Sequence, residues 1–129
     1  MKELSDAAVR RIVAAVLKGE RRKAEVAVTF LGPVRMRALN REHLRHDTAT
    51  DVISFGLPAP DGRLLGDIYI CRAVAAAQAK ELGVPLREEL VRLVVHGTLH
   101  VLGYDHPKGE GRTRSAMWQR QERYVRKLA

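Results

Sequence analysis

The sequence predicts an α+β fold: a single small mixed β-sheet of three to four strands covered by about five helices. Three observations lead there. Apolar residues alternate with period two only in short segments between residues 24 and 71, and from residue 72 onward the pattern has the helical period. Glycine or proline stands at nearly every change of pattern. The length of 129 residues suits one core, so residues 1–129 are read as a single domain.

The elements follow in order. A helix is expected from Ser5 to Lys18, with Ser5 or Asp6 as cap, Leu4, Ala8, Ile12, Ala15 and Val16 on its apolar stripe, and Gly19 as its stop. The segment AEVAVTFL alternates as a strand does, with Val26, Val28 and Phe30 on one face. Gly32-Pro33 breaks it and opens a short helix to about Leu44. Thr50 to Gly56 and Leu64 to Cys71 read as strands joined into a hairpin through a turn with two prolines and Asp61-Gly62. Three helices complete the chain: Ala73 to Leu82, ended by Gly83; Leu86 to Leu102, ended by Gly103; and about Gly111 to Leu128. The resulting order is α-β-α-β-β-α-α-α, that of a layered α+β domain.

Composition narrows the function classes. Hydrophobic residues make up 46% and charged residues 29%, the balance of a globular chain rather than a disordered one. The single cysteine, Cys71, cannot form an internal disulfide and is expected in the core, so a reducing, cytoplasmic setting is the natural expectation. The opening residues lack a secretory pattern, since Arg10 and Arg11 interrupt the apolar stretch, and no run is long enough to span a membrane. Lys plus Arg total 23 against 15 Asp plus Glu, a net +8, and seventeen of the cations are Arg. Arg grips phosphate in a planar fork, so the balance favours a polyanionic partner, although an Arg preference in the genome would give the same count.

Three of the five histidines lie within the stretch HGTLHVLGYDH. His96 and His100 are four apart on a predicted helix, which puts both rings on one face about 6 Å apart at Cβ. Gly103 ends that helix and turns the chain back, so that His106 can arrive from the loop as a third ligand. Three neutral imidazoles leave one corner of a tetrahedral ion open, the pattern of a catalytic site. Zn²⁺ suits that set best, while Ni²⁺ and other divalent ions also accept imidazole. The bland alternative is a set of ordinary core or surface histidines. Against it stands the helix itself, which is apolar nearly all round from Leu90 to Leu102 apart from Arg92, Thr98 and the histidines. Burying two unpartnered imidazoles would be costly without a metal. The same spacing occurs in metzincin proteases, but their general-base Glu is replaced by Gly97, which a close backbone approach would explain.

The stretch HGTLHVLGYDH closely resembles the motif of the YbeY family of rRNA maturation factors. TDVISF, preceded by Asn40 and Arg45, resembles the family's N-x4-R-x4-T-D-V-L-S-F block, with Ala49 where the family often has Pro, and LLGDIYI resembles its L-G-D-I-x-I strand. The resemblance implies a metal-dependent, single-strand-specific endoribonuclease that processes the 16S rRNA 3′ end and takes part in ribosome quality control. It implies RNA and the small ribosomal subunit as partners, His96, His100 and His106 as metal ligands, and Arg45 as the functionally important arginine.

Residue chemistry agrees, since a metal and an Arg together can stabilise charge on a phosphate. Arg45 by itself would read as a solvated surface residue. Asp67, central in an apolar strand, is expected either to orient a ligand histidine or to pair with a buried Arg. Thr50 and Asp51 are expected to fix the entry turn of their strand, with Asp51 a minor candidate for the site. Trp118, Met117, Gln121 and Tyr124 are expected to face the core or to stack on the neighbouring helix. Two alternatives stay open: a ribosome-assembly factor with a structural metal that does not cut, and a metal-dependent hydrolase of another substrate such as a peptide.

Overall fold

The computed structural model describes residues 3–44, 47–104 and 116–129. Among them the chain runs α1 (Asp6–Glu20), β1 (Glu25–Leu31), α2 (Pro33–Leu44), β2 (Val52–Pro58), β3 (Leu64–Cys71), α3 (Arg72–Leu82), α4 (Leu86–Val101) and α5 (Ala116–Leu128). This is the α+β order expected from the sequence, with three strands among the described residues. The stretch before Ala116, where the last helix was expected to begin, lies outside them.

The strands lie in the order β1-β3-β2, with β1 parallel and β2 antiparallel to the central β3. The register sets Val52, Ser54 and Gly56 of β2 opposite Ile70, Ile68 and Gly66 of β3. Side chains alternate along a strand, so these six residues share one face. On that face α4 lies across the sheet, and Ile68 and Ile70 join Val91, Val94, Val95 and Leu99 in the main core with α1 and α5. Ile53 and Cys71 point the other way and form a second, smaller core with Met36 of α2. Cys71 is thus fully buried, as expected. Asp67 is not: it sits on the exposed side of β3, turned away from His96 and His100, and among the described residues it meets no buried Arg. Its neighbours Gly66 and Ile68 are the residues turned towards α4, and period two turns Asp67 away.

The helix approaches the sheet closely because side chains are missing where the two surfaces meet. A Cβ on Gly66 would stand 2.6 Å from Val101 Cγ1. Ten residues of α4 are buried, among them the charged Glu89. Thr98 is accommodated by donating its hydroxyl to the Val94 carbonyl at 2.7 Å. The helix ends as the sequence predicts. Gly103 takes φ +102°, its N–H reaches His100 O at 3.0 Å, and Tyr104 N–H reaches Leu99 O at 3.1 Å. Those two bonds are a Schellman closure.

The end of α1 differs from expectation. Gly19 lies inside the helix, and the left-handed residue is Arg21 at φ 55°. Gly19 is required for another reason: a Cβ there would overlap the hydroxyl of Tyr124. The Tyr124 hydroxyl in turn donates to Glu20, which also accepts from Tyr104 at 2.7 Å and Arg120 at 3.2 Å. One carboxylate thereby ties the end of α1 to α5 and to the residue just beyond the α4 turn.

Candidate metal centre

His96 and His100 project from the same side of α4. Their ring centroids are 6.5 Å apart and the rings are within 19° of parallel. Period 3.6 places them together, and the Gly97 backbone between them rests on the sheet. The stripe they occupy is less enclosed than the sequence suggests: His96 is half-buried and His100 exposed. The helix is buried by its sheet and α1 faces, whereas the imidazoles look out between β2 and α5.

Nor are the rings unpartnered. Gln121 of α5 lies with Oε1 2.8 Å from His96 Nδ1, and Ser54 of β2 lies with Oγ 3.1 Å from His100 Nδ1. The amide orientation follows from its other contact, in which Gln121 Nε2 donates to Glu122 Oε2 at 3.0 Å. A carboxylate only accepts, so the amide nitrogen must face Glu122 and the amide oxygen must face His96. His96 is then the donor through Nδ1, and its lone pair is on Nε2. Glu122 is itself gripped by Arg92 through two bonds of 2.9 Å. Burial works to raise the Glu122 carboxyl, but the donors on Arg92 and Gln121 outweigh it and hold the group below its ordinary range. An ordered chain Arg92–Glu122–Gln121–His96 therefore sets the imidazole tautomer, the arrangement found behind metal-binding histidines.

Ser54 and Gln121 were not singled out as site residues from the sequence. Each carries a signal all the same. Gln121 lies on the buried stripe of α5 between Met117 and Val125, and Ser54 lies on the α4-facing side of β2 between Val52 and Gly56. Met117 and Gln121 are buried as expected, while Trp118 and Tyr124 are half-buried.

Asp51 fixes the entry to β2, accepting from Val52 N at 2.8 Å and from the Thr50 hydroxyl at 3.3 Å. It also lines a cavity of about 610 Å³ together with His96, Glu89, Trp118 and Gln121. Arg45 and His106 lie outside the described residues, and among the described residues no third His, Cys, Asp or Glu completes a metal-sized cluster. What flanks Arg45 is well braced. Arg37 holds Asp47 through two bonds of 2.8 and 2.9 Å, and the buried Asn40 donates to Thr48 O at 2.9 Å.

The family model described as endoribonuclease YbeY matches residues 1–129. The chain belongs to the endoribonuclease YbeY family. It is 38% identical over 128 residues to the endoribonuclease YbeY of Chlorobium luteolum, covering 98% of this chain and 91% of that one. It is 42% identical over 104 residues to that of Stenotrophomonas maltophilia, covering 75% and 65%. The family's fold is seen in the solution structure of TM1509 from Thermotoga maritima, with a TM-score of 0.66 at 29% identity over 93% of this chain and 78% of that one. Family members are RNA hydrolases and are metal-dependent in general.

Proposed function

We propose that the chain is an endoribonuclease of rRNA maturation that cuts single-stranded RNA with the help of one divalent cation, zinc in the first instance. Membership of the endoribonuclease YbeY family supports the reaction class and an RNA substrate. The observation that carries the metal reading is the pair of Nδ1 contacts, Gln121 to His96 and Ser54 to His100. With Nδ1 donating to Gln121, His96 presents Nε2 as a ligand atom, and the Ser54 hydroxyl, which accepts as readily as it donates, suits the same tautomer at His100. His106 would be the third ligand, delivered by the turn that Gly103 begins. Two or three neutral imidazoles with no thiolate fit a borderline-soft divalent ion. Once bound, such an ion supplies Lewis-acid stabilisation of charge on a phosphoryl oxygen.

The protein's own residues position the RNA. In this reading Arg45 binds the scissile phosphate; two residues further along the sequence, Asp47 and then Thr48 are held to α2 by Arg37 and Asn40. The small ribosomal subunit is the proposed site of action, with a part in ribosome quality control, and the cytoplasm the proposed compartment. Among the described residues no helix is long and apolar enough to cross a membrane. A peptide-hydrolase reading is opposed by position 97, where a metzincin-type Glu would be needed and Ile68 leaves no room.

The test uses the full chain on single-stranded RNA, with folding checked by circular dichroism. Cleavage is expected to be lost in His100→Ala and after metal stripping, and to return when the native chain is reloaded with zinc. A folded His100→Ala variant that cuts as well as the native chain overturns the reading. Normal rRNA processing by a cleavage-dead chain would instead favour the non-cleaving assembly factor.

A further inference from the structure

Beside His96, the described residues that line the cavity of about 610 Å³ include Asp51, Glu81 and Glu89 and no Lys or Arg, in a chain whose net charge is +8. Its size is that of a small-ligand pocket. Glu89 is 3% exposed, and among the described residues its Oε2 has no hydrogen-bond partner. Arg92, 3.7 Å away, is within ion-pair range of that oxygen but makes no hydrogen bond to it. Burial pushes the Glu89 carboxyl up, Arg92 opposes this, and the nearby Asp51, Glu122 and Glu88 carboxylates add to the rise. A buried acceptor without a donor is costly and marks a place where a ligand can supply one.

Trp118 stands on the rim and also borders a second depression of about 460 Å³, lined by Gln119, Glu122, Arg123 and Arg126. An acidic pocket and a more basic depression thus meet at one indole. Phosphate is repelled by the first and attracted by the second. An uncharged base with N–H donors suits the first, and an indole is a stacking platform for a base splayed out of a single strand.

We infer that this cavity is a base-recognition subsite, taking an unpaired guanine that stacks on Trp118 and donates its pairing edge to Glu89. Guanine offers two adjacent donors, N1–H and the N2 amine, to a carboxylate. Adenine and cytosine offer an amine beside an acceptor nitrogen, and uracil offers one N–H between two carbonyls that the carboxylates would repel. The adjoining phosphates lie along Arg123 and Arg126. The inference deepens the endoribonuclease reading and supplies that site with a sequence preference.

Trp118 is the only tryptophan in the chain, so its fluorescence reports occupancy of this cavity. The native protein is titrated with the 5′-monophosphates of guanosine, adenosine, cytidine and uridine. Guanosine monophosphate is expected to give a saturable change in emission, with uridine monophosphate at least tenfold weaker. Glu89→Gln is expected to weaken guanosine monophosphate at least tenfold and leave uridine monophosphate unchanged. No saturable change with the guanine nucleotide, equal affinity for all four, or a natively folded Glu89→Gln chain that still prefers guanine would each overturn the inference. Should Glu89→Gln fail to fold, the four-nucleotide comparison on the native chain decides alone. Nucleotide binding is read without cleavage, so a chain that selects guanine but cuts no RNA would fail the endoribonuclease reading and keep this one.

Discussion

Gly97 of α4 rests directly on Ile68 of β3. A Cβ at position 97 would meet Ile68 Cγ2 at 2.7 Å and Cδ1 at 3.0 Å, and Ile68 is fully buried with nowhere to move. Gly97→Ala should gain about 1 kcal/mol in helix propensity but lose about 1–3 kcal/mol to overpacking. The expected outcome is a net destabilisation of about 1 kcal/mol, seen as a lower urea midpoint. Adding Ile68→Ala should cost the double variant less than the sum of the two singles, because the pair is in contact. Additive effects would show that the approach at Gly97 is not tight.

Gln121→Leu removes the acceptor for His96 Nδ1–H while keeping the volume. Zinc affinity, measured by competition with a chromophoric chelator, should fall about 10–100-fold, the usual cost of losing a partner behind a ligand histidine. Glu122→Ala should also lower it, since it releases the Gln121 amide to turn over. Unchanged affinity in both folded variants would remove this chain from the metal site.

Glu20 predicts the acid limb of stability. Burial favours its neutral form, but hydrogen bonds from Tyr124, Tyr104 and Arg120 outweigh that and leave the carboxyl below its ordinary 4.5. A depressed folded value means that the unfolded chain binds the proton first. The stabilisation is therefore complete above pH 4.5 and is lost as pH falls through the folded value. Glu20→Gln should flatten stability against pH in that window, measured by urea unfolding at a series of acid pH values.

Tyr124 predicts the alkaline limb by the same linkage. Burial and the hydrogen bond to Glu20 push its phenol up to about 12 from the ordinary 10. Its contribution is present below pH 10 and is lost as pH rises towards 12. The Tyr104 phenol, which also donates to Glu20, is raised as well, so phenolate absorbance should show two tyrosines titrating late in the native chain, and Tyr124→Phe should remove the later step.

RNA binding should depend steeply on salt. With a net charge of +8, the logarithm of affinity for a single strand should fall linearly with the logarithm of salt concentration, by about 0.7 for each phosphate neutralised. Filter binding or anisotropy over a salt series measures the slope, and a flat line would deny the electrostatic footprint.

Local pattern by itself determined the element order, the hairpin, the Gly103 turn and the common face of His96 and His100, because each depends on residues a few positions apart. The close approach behind Gly97 was legible too, since a glycine inside a helix calls for a neighbour. Tertiary structure decided the rest. Asp67 turned outward because register selects which alternate residues face the helix. Gly19 became a seat for Tyr124, a residue more than 100 positions away, and Arg21 took over the left-handed cap. The openness of the histidine stripe, the Ser54 contact to His100 and the Gln121 amide that sets the proton of His96 arise only when β2 and α5 pack beside α4. Sequence spacing can place two rings on one side of a helix, but only packing between distant segments can fix the proton of His96 and leave Glu89 buried at the edge of the cavity beside it.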